Sequence, residues 1–441
     1  MQTEIDGNTN DQAKRSSGTY EQGHAAGYAY GVREGIRTFG TGQEFTSIII
    51  PTYDRIDLLL QCLDHIDQHT SSPYEVIVVD NGSADGTAEA VRRRCGRVRL
   101  AVHSQNLGFA RAVNTGLMMA KGNTIVLLNN DVLVTERWLD QLLACLRQFP
   151  EAAAAGPVTN YISGEQLIDV PYKEVTDMPA FAAMHNHFDP RKWRVTDRLV
   201  GFCVAFPRTT LDQIGYFDEG YEIGNFEDDD WVARLRLQGK KMVIAGDTFV
   251  HHYGSMTMKG LGSQGFQEVN TRNHHFFREK WGDLQALYAR MPAWRGERTL
   301  QAADFFPTHV RVRDANGGVH WLEQGVRHRL HQVGALVTEP TRLSVLDLLQ
   351  LPAGPDRSQE QLAGFSGSAP FEAGLTDGTV AVCGGRWYQI DRGQRREIIS
   401  EYTLHAWGLA PSGIALSEDV VGAYSEGLPI LPPPHLVSED L

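Results

Sequence analysis

The chain has 441 residues, an apolar fraction of 42% and a net charge of -13. That length exceeds one ordinary domain and predicts two or three, and the acidic balance excludes the broad basic footprint of a nucleic-acid-binding protein. No apolar run approaches the length of a membrane span, so no transmembrane segment is expected.

Five cysteines, Cys62, Cys95, Cys145, Cys203 and Cys383, stand without paired spacing. They read as reduced thiols. The first forty or so residues lack the apolar core of a signal peptide. A cytoplasmic location follows, with peripheral membrane contact left open.

In chain order, residues 1–44 form a polar, Gly-rich leader in which Gly23, Gly27, Gly31 and Gly35 recur every fourth position. That spacing puts the glycines on one helical face, but glycine disfavours a lone helix. A helix packed closely on a partner and a flexible leader both fit. From Phe45 the texture changes. "FTSIIIPTY" is a strand closed by Pro51, and "DLLLQCLDHIDQHT" is a helix with Leu59, Leu63 and Ile66 on one face. "YEVIVVDNGSADGT" is a second buried strand running into a polar loop, "TAEAVRRRCG" a helix, "VRLAVHS" a strand and "ARAVNTGLMMAKG" a helix. "NTIVLLNND" is the next strand and "ERWLDQLLACLRQFP" the next helix. Strands alternating with helices predict an α/β fold with a mostly parallel central sheet.

Residues 157–200 read as irregular, in the manner of a flap or an acceptor loop. After them come a strand-like run, "RLVGFCVAFPR", and a helix and turn, "TTLDQIGYFDEGY". "NFEDDDWVARLRLQGKK" opens on the acids Glu227 to Asp230, continues as a helix from Trp231 to Leu237 and is closed by Gly239. "MVIAGDTFVHHYGS" is a strand ending in His251-His252, and "NHHFFREKWG" is helical. Beyond residue 297, "HWLEQGVRHRL" and "YQIDRGQRREI" share a spacing, apolar–acid–x–Gly–x–Arg, and each precedes a Pro-rich segment. Residues 298–441 thus read as two small repeat-like modules serving binding or assembly.

Four polar clusters fall at strand ends: Pro51-Thr52-Tyr53-Asp54, Asp80-Asn81-Gly82-Ser83, Asn129-Asn130-Asp131 and His251-His252. In an open parallel sheet such ends share one edge, where ligands bind. Asp80 suits a ribose or a base N–H, or else opens an Asx turn. Asp131 is a hard oxygen donor for Mg²⁺ or Mn²⁺, and Asn129 and Asn130 suit a ribose or a metal-bound water. His251 or His252 suits Mn²⁺, or else is structural. Some of the four acids at 227–230 cap their helix, and Asp230 is expected among these. At most one or two of them face a site, one as a general base.

Taken in order, "SIIIPTYDR", "VIVVDNGSADGT", "NLGFARAVNTG", "IVLLNNDV", "NFEDDDWVARLRLQGKK" and "VHHYGS" resemble the signatures of family 2 glycosyltransferases over residues 45–290. The resemblance implies a GT-A fold over residues 45–297, a nucleotide-diphosphate sugar as donor, Mn²⁺ or Mg²⁺ as cofactor, and inverting transfer of a hexosyl or deoxyhexosyl group. By it, Pro51, Thr52, Tyr53 and Asp80 line the nucleotide, with Asn81, Asn129 and Asn130 beside them. Gly108 lies where the "NLGFA" loop passes the base. Asp131 matches the last acid of the family's D-x-D metal motif, with Asn129 where an acid is commoner, and His251 and His252 join the metal set. Asp228 matches the catalytic base, and Glu227 and Trp231 are expected on the acceptor side. The acceptor is a carbohydrate or a protein or peptide side chain, including a cysteine thiol, and a homo-oligomer is allowed. Two other classes are a nucleotidyltransferase, which lacks its Gly-rich loop here, and a non-catalytic sugar-binding scaffold, which needs no ordered strand-end acids.

Overall fold

The computed structural model describes residues 43–94, 98–254, 262–296, 298–331, 339–362, 375–409 and 415–441, and within the leader residues 22, 23, 25–29 and 33. The leader belongs to a compact unit of its own, Met1–Gly42. Its described residues are helical and exposed, and Gly31 and Gly35 lie outside them. Everything from Gln43 to Leu441 forms a second compact unit.

Nine strands make the large sheet of that unit: β1 (Gln43–Thr52), β2 (Tyr74–Asp80), β3 (Val98–Val102), β4 (Gly122–Leu128), β5 (Val132–Leu133), β6 (Ala152–Thr159), β7 (Trp193–Thr196), β8 (Cys203–Pro207) and β9 (Lys241–His252). Their order is β3-β2-β1-β4-β8-β6-β9-β5, with β7 beside β9. The first four strands are parallel. β8 runs against both its neighbours, and β6 and β9 are again parallel. The architecture is the expected α/β one, but the sheet is mixed rather than mostly parallel, since β8, β5 and β7 all pair antiparallel with their neighbours.

The apolar runs have no polar alternation because both faces of the sheet are covered. Successive side chains of a strand point to opposite faces. Ile49, Ile77 and Leu127 accordingly join one core cluster, and Ile48, Ile50, Val76 and Val126 the other. Helices α1 (Ile56–His69) and α4 (Trp138–Gln148) cover the second face with Leu59, Leu63, Trp138 and Leu142. On the first face lie α3 (Phe109–Met119), α6 (Arg208–Ile214) and α7 (Glu227–Leu237), through Val113, Leu211 and Leu235. The short α2 (Thr87–Arg93) packs beside β3.

The stretch expected to be irregular carries α5 (Met178–His185) and the edge strand β7. After β9 come two helices, α8 (Gly262–Trp281) and α9 (Leu284–Arg295). Among the described residues no helix is long and apolar enough to cross a membrane. Cys62, Cys145, Cys203 and Cys383 are free thiols, and Cys95 lies outside the described residues.

Residues 298–441 add two further sheets on one plan. In the first, β10 (Val310–Arg313), β11 (Val319–Glu323) and β12 (Val326–His331) form an antiparallel meander. In the second, β15 (Val380–Cys383), β16 (Arg386–Asp391) and β17 (Gln394–Ile398) do the same, after the short strands β13 (Thr341–Arg342) and β14 (Arg357–Ser358) of the first sheet. Each last hairpin turns on two residues with positive φ, Gln324-Gly325 and Arg392-Gly393. That is the hairpin geometry a two-residue loop needs, and it accounts for the shared acid–x–Gly spacing. A Ser-capped helix follows each meander, α10 (Val345–Leu349) behind Ser344 and α11 (Glu401–Ala406) behind Ser400.

These sheets pack on the half that carries the large sheet. Leu300, Phe305 and Leu431 share a core with Trp281 and Leu287, and Leu436 and Leu441 enter the core beneath α3 and α7. Residues 435–438 lie against two buried acids. Asp218 accepts the His435 N–H (3.0 Å), and Glu219 accepts the N–H groups of Val437 and Ser438 (2.7 Å each). Asp218 also meets Lys280 Nζ at 2.5 Å, and the same ammonium meets Asp230 at 2.5 Å, all three side chains being fully buried. Arg234 adds a second cation at 3.1 Å from Asp230. Asp230 therefore does not cap α7 at its surface but serves as the hub of an interior charge cluster. Removing one partner of such a group strands an uncompensated buried charge, which costs about 3–5 kcal/mol. Lys280→Met is expected to lower the unfolding free energy by that amount in urea titration, and a loss under about 1 kcal/mol would remove the cluster from its structural role.

Candidate functional site

Strand register brings the sequence clusters together. Thr52 at the end of β1 pairs directly with Asp80 at the end of β2, and Ile49 of β1 pairs with Leu127 of β4. Asn129, Asn130 and Asp131 therefore emerge beside Pro51-Thr52-Tyr53. The two-residue β5 pairs Val132 with His252, which sets His252 next to Asp131. A cleft enclosing about 160 Å³ opens at this edge, with Thr52, Tyr53, Asn130 and Asp131 on one side and Glu227 and Asp228 on the other.

The nucleotide-side loops are cross-braced. Asn81 accepts the N–H of Leu107 (3.0 Å) and bonds His103 Nδ1 (2.9 Å) through Oδ1. Its Nδ2 donates to Asn106 Oδ1 (2.9 Å) and to the Gly108 carbonyl (3.0 Å). Gly82, at φ +81, comes so close to the 105–106 backbone that an added Cβ would lie 2.5 Å from the Gln105 carbonyl carbon. Only glycine permits both that conformation and that approach. Asn130 Nδ2 donates to Thr52 Oγ1 at 2.8 Å. One oxygen of Asp80 accepts the Ser83 N–H (3.0 Å), and the other is buried without a hydrogen bond. Asn129 likewise keeps a buried, unbonded amide oxygen. Asn129 lines the cleft, where an open buried acceptor awaits a donor from a ligand, while Asp80 lies outside the cleft lining.

The two histidines separate by face. His251 points away from the cleft, its Nδ1 2.7 Å from the Tyr172 hydroxyl, and burial holds its imidazole down to about 4. His252 Nε2 lies 3.2 Å from Asp131 Oδ1, both side chains being buried. Its Nδ1 is 2.8 Å from the Tyr161 carbonyl, which can only accept, so that nitrogen carries a proton. Nε2 is the ring atom that faces the carboxylate oxygen. Imidazole beside carboxylate is a donor pair acceptable to Mn²⁺, whereas Mg²⁺ would rest on the carboxylate. Phe202, stacked on His252 at 5.2 Å, fixes the ring. Among the described residues no group of three or more His, Cys, Asp or Glu converges as a metal cage.

Across the cleft, α7 begins with acids in unlike surroundings. Asp228 is partly buried and accepts the N–H groups of Gly201 (3.0 Å) and Asp229 (2.9 Å). Burial, then the neighbouring Asp229 charge, pushes it up to about 6. Burial and the Asp228 charge push Glu227 well above the usual carboxylate range. Asp229 instead turns outward into a bidentate pair with Arg198, at 2.7 and 3.2 Å. Trp231 is not on the cleft wall; it stacks on Phe217 at 5.6 Å in the core.

Sequence reading missed the loop before α7. Ile223, Asn225 and Phe226 all have positive φ (55°, 78° and 73°). Non-glycine residues held there cost of order 1–3 kcal/mol each and cluster at functional sites. The Ile223 carbonyl accepts the Phe109 N–H at 2.8 Å, tying this loop to Gly108 and the nucleotide side.

Residues 47–213 match the sequence profile described as glycosyl transferase family 2. That match carries the chain's likeness to the family, and the α/β sheet above is the fold class expected with it. It is 28% identical over 225 residues to the chondroitin synthase of Pasteurella multocida, covering 44% of this chain and 23% of that protein. It is 29% identical over 236 residues to the N-acetylglucosaminyl-diphospho-decaprenol L-rhamnosyltransferase of Mycobacterium tuberculosis, covering 47% of this chain and 75% of that protein. The chain thus spans about a quarter of the first relative's length. Among solved structures it is similar to GalNAc-T7 with UDP, GalNAc and Mn²⁺, at a TM-score of 0.42 and 15% identity, covering 57% of this chain and 51% of that one.

Asn81→Ala removes the brace between the two nucleotide-side loops: the Leu107 N–H loses the acceptor described for it, and the buried Gly108 carbonyl keeps only the Ala112 N–H at 3.3 Å. Each buried polar group so stranded costs about 1–3 kcal/mol. A drop in melting temperature of several degrees is expected by calorimetry, and an unchanged transition would show that the loops hold without it.

Proposed function

We propose that this protein transfers a sugar from a nucleotide-diphosphate sugar to an acceptor hydroxyl with inversion at the anomeric carbon. The observation that supports it most is the convergence on one cleft of the Asp131–His252 pair, the braced strand-end loops and, opposite them, Asp228. The acceptor hydroxyl gives its proton to Asp228, its oxygen bonds to the anomeric carbon, and the bond from that carbon to the diphosphate oxygen breaks. A carboxyl raised to about 6 is basic enough to take a proton and ionised enough at neutral pH to be ready for it. Asp131 and His252 would hold the Mn²⁺ or Mg²⁺. When bound, such an ion supplies positive charge against the diphosphate. Asp80, Asn129, Asn130, Thr52 and Tyr53 take the nucleoside and sugar, and Glu227, which lines the cleft beside Asp228, faces the acceptor.

A carbohydrate acceptor is favoured over a protein side chain because the relatives' names specify a chondroitin synthase and a transferase acting on an N-acetylglucosaminyl lipid diphosphate. A cysteine acceptor would need less from a base, since a thiolate forms more readily than an alkoxide. Residues 298–441 are proposed to position the acceptor or a second subunit.

The test is release of free nucleoside diphosphate from a panel of UDP-, GDP- and dTDP-sugars, with and without oligosaccharide acceptors. No release from any donor would sink the transferase reading. With a productive donor, Asp228→Asn is expected to cut turnover by about 10² to 10⁴. In the parent chain, turnover should fall as pH drops through about 6, because protonation removes the base, and the variant should lose that limb. Asp131→Ala and His252→Ala should each weaken Mn²⁺ binding measured by electron paramagnetic resonance. Unaltered Mn²⁺ affinity in both would move the ion elsewhere.

A further inference from the structure

We infer that Asn273, on α8 and outside the cleft, is a positioning residue that holds the acceptor-side loop in its working shape; this rests on the transferase reading above. Asn273 is buried, and every hydrogen bond described for it goes to one short segment. Its Oδ1 accepts the Glu222 N–H (3.0 Å), and its Nδ2 donates to the carbonyls of Glu222 (2.9 Å), Gly224 (2.9 Å) and Asn225 (3.0 Å). Two N–H bonds are thereby shared among three carbonyls. With Ile223 already bonded to Phe109, the carbonyls of residues 222–225 are all tied.

That segment is the one with positive φ at Ile223, Asn225 and Phe226, and Ile223, Gly224 and Asn225 line the cleft. Glycines at those positions would make the turn cheap. Instead an isoleucine, an asparagine and a phenylalanine occupy them, so the conformation must be imposed from outside. The clamp sits on a helical stripe. Three, four and seven residues on from Asn273, Phe276 packs on Tyr221 (4.9 Å), Phe277 on Phe226 (5.7 Å), and Lys280 holds Asp230. The loop leads straight into Glu227 and Asp228, whose backbone direction is set by Phe226 as the residue preceding α7. A base displaced by about 1 Å loses on the order of 10² in rate.

The experiment uses the full chain and reads the loop and the chemistry separately. In Asn273→Ala, backbone amides of residues 222–230 should exchange with solvent about tenfold faster or more. Introducing Asn225→Gly into that variant should recover part of the protection, because glycine adopts the loop's φ unaided. With the donor found productive in the nucleotide-sugar panel, kcat per folded molecule should fall by about 10² while the donor KM moves less than about threefold. Asn273→Ser, which keeps one donor and one acceptor, is the second variant should the alanine form not fold, and an intermediate loss is expected of it. Exchange and kcat within about twofold of the parent, in whichever variant folds, would overturn the assignment. If exchange changes as expected but no sugar nucleotide is consumed even by the parent chain, the clamp stands and the transferase reading falls.

Discussion

The interior charge cluster around Lys280 is the constraint on which the rest of the structure depends. Its two carboxylates, Asp218 and Asp230, face two cations, Lys280 and Arg234, so the group is close to neutral. Tyr221 and Trp281 add hydrogen bonds to Asp230 at 3.2 and 2.9 Å. Desolvating an ion pair is rarely favourable unless its geometry and its remaining hydrogen bonds are satisfied, and here both carboxylates are bonded while Nη2 of Arg234 is buried without a described partner. The cluster needs α7, α8 and the 218–221 turn at once. The neighbouring tail residue His435 bonds the same Asp218.

The same helix supports opposite electrostatics two residues apart. Burial works against the charge on Asp230, but Lys280 and Arg234 beside it hold the carboxyl below the usual range. Asp228, without a cation inside the core, is raised by its burial and by like charge. One short run of acids is thus divided by environment into an anchor whose carboxyl is held low by its cations and a carboxylate poised to titrate, a division of labour seen wherever paired carboxyls take different roles.

Much of this was legible in the sequence. The unalternating runs Ile48–Ile50 and Ile125–Leu128 announced strands covered on both faces, and the polar triplets that follow them announced the edge where they end. Other features were hidden for definite reasons. The alanines of β6 carry helical propensity, yet between β8 and β9 their small side chains suit a strand fully buried on both faces. Strand period alone could have separated His251 from His252, since neighbours on a strand face opposite ways. The interior role of Asp230 was invisible because its partner lies fifty residues on. Asn273 gave no signal because its partners are backbone groups, which have no sequence identity. The acid–x–Gly spacing of the two later modules was readable because it encodes a local turn.

The contact between Glu219 and Ser438 joins positions 219 residues apart. A polypeptide made at about 5–20 residues per second therefore exposes its first half for roughly 10–40 s before the segment that seals it emerges. During that interval Glu219 and the apolar surface later covered by Leu436 face solvent or whatever else is near. For this fold, the vulnerable period during biosynthesis is set by the distance along the chain to one late-arriving segment, and not by the complexity of the sheet.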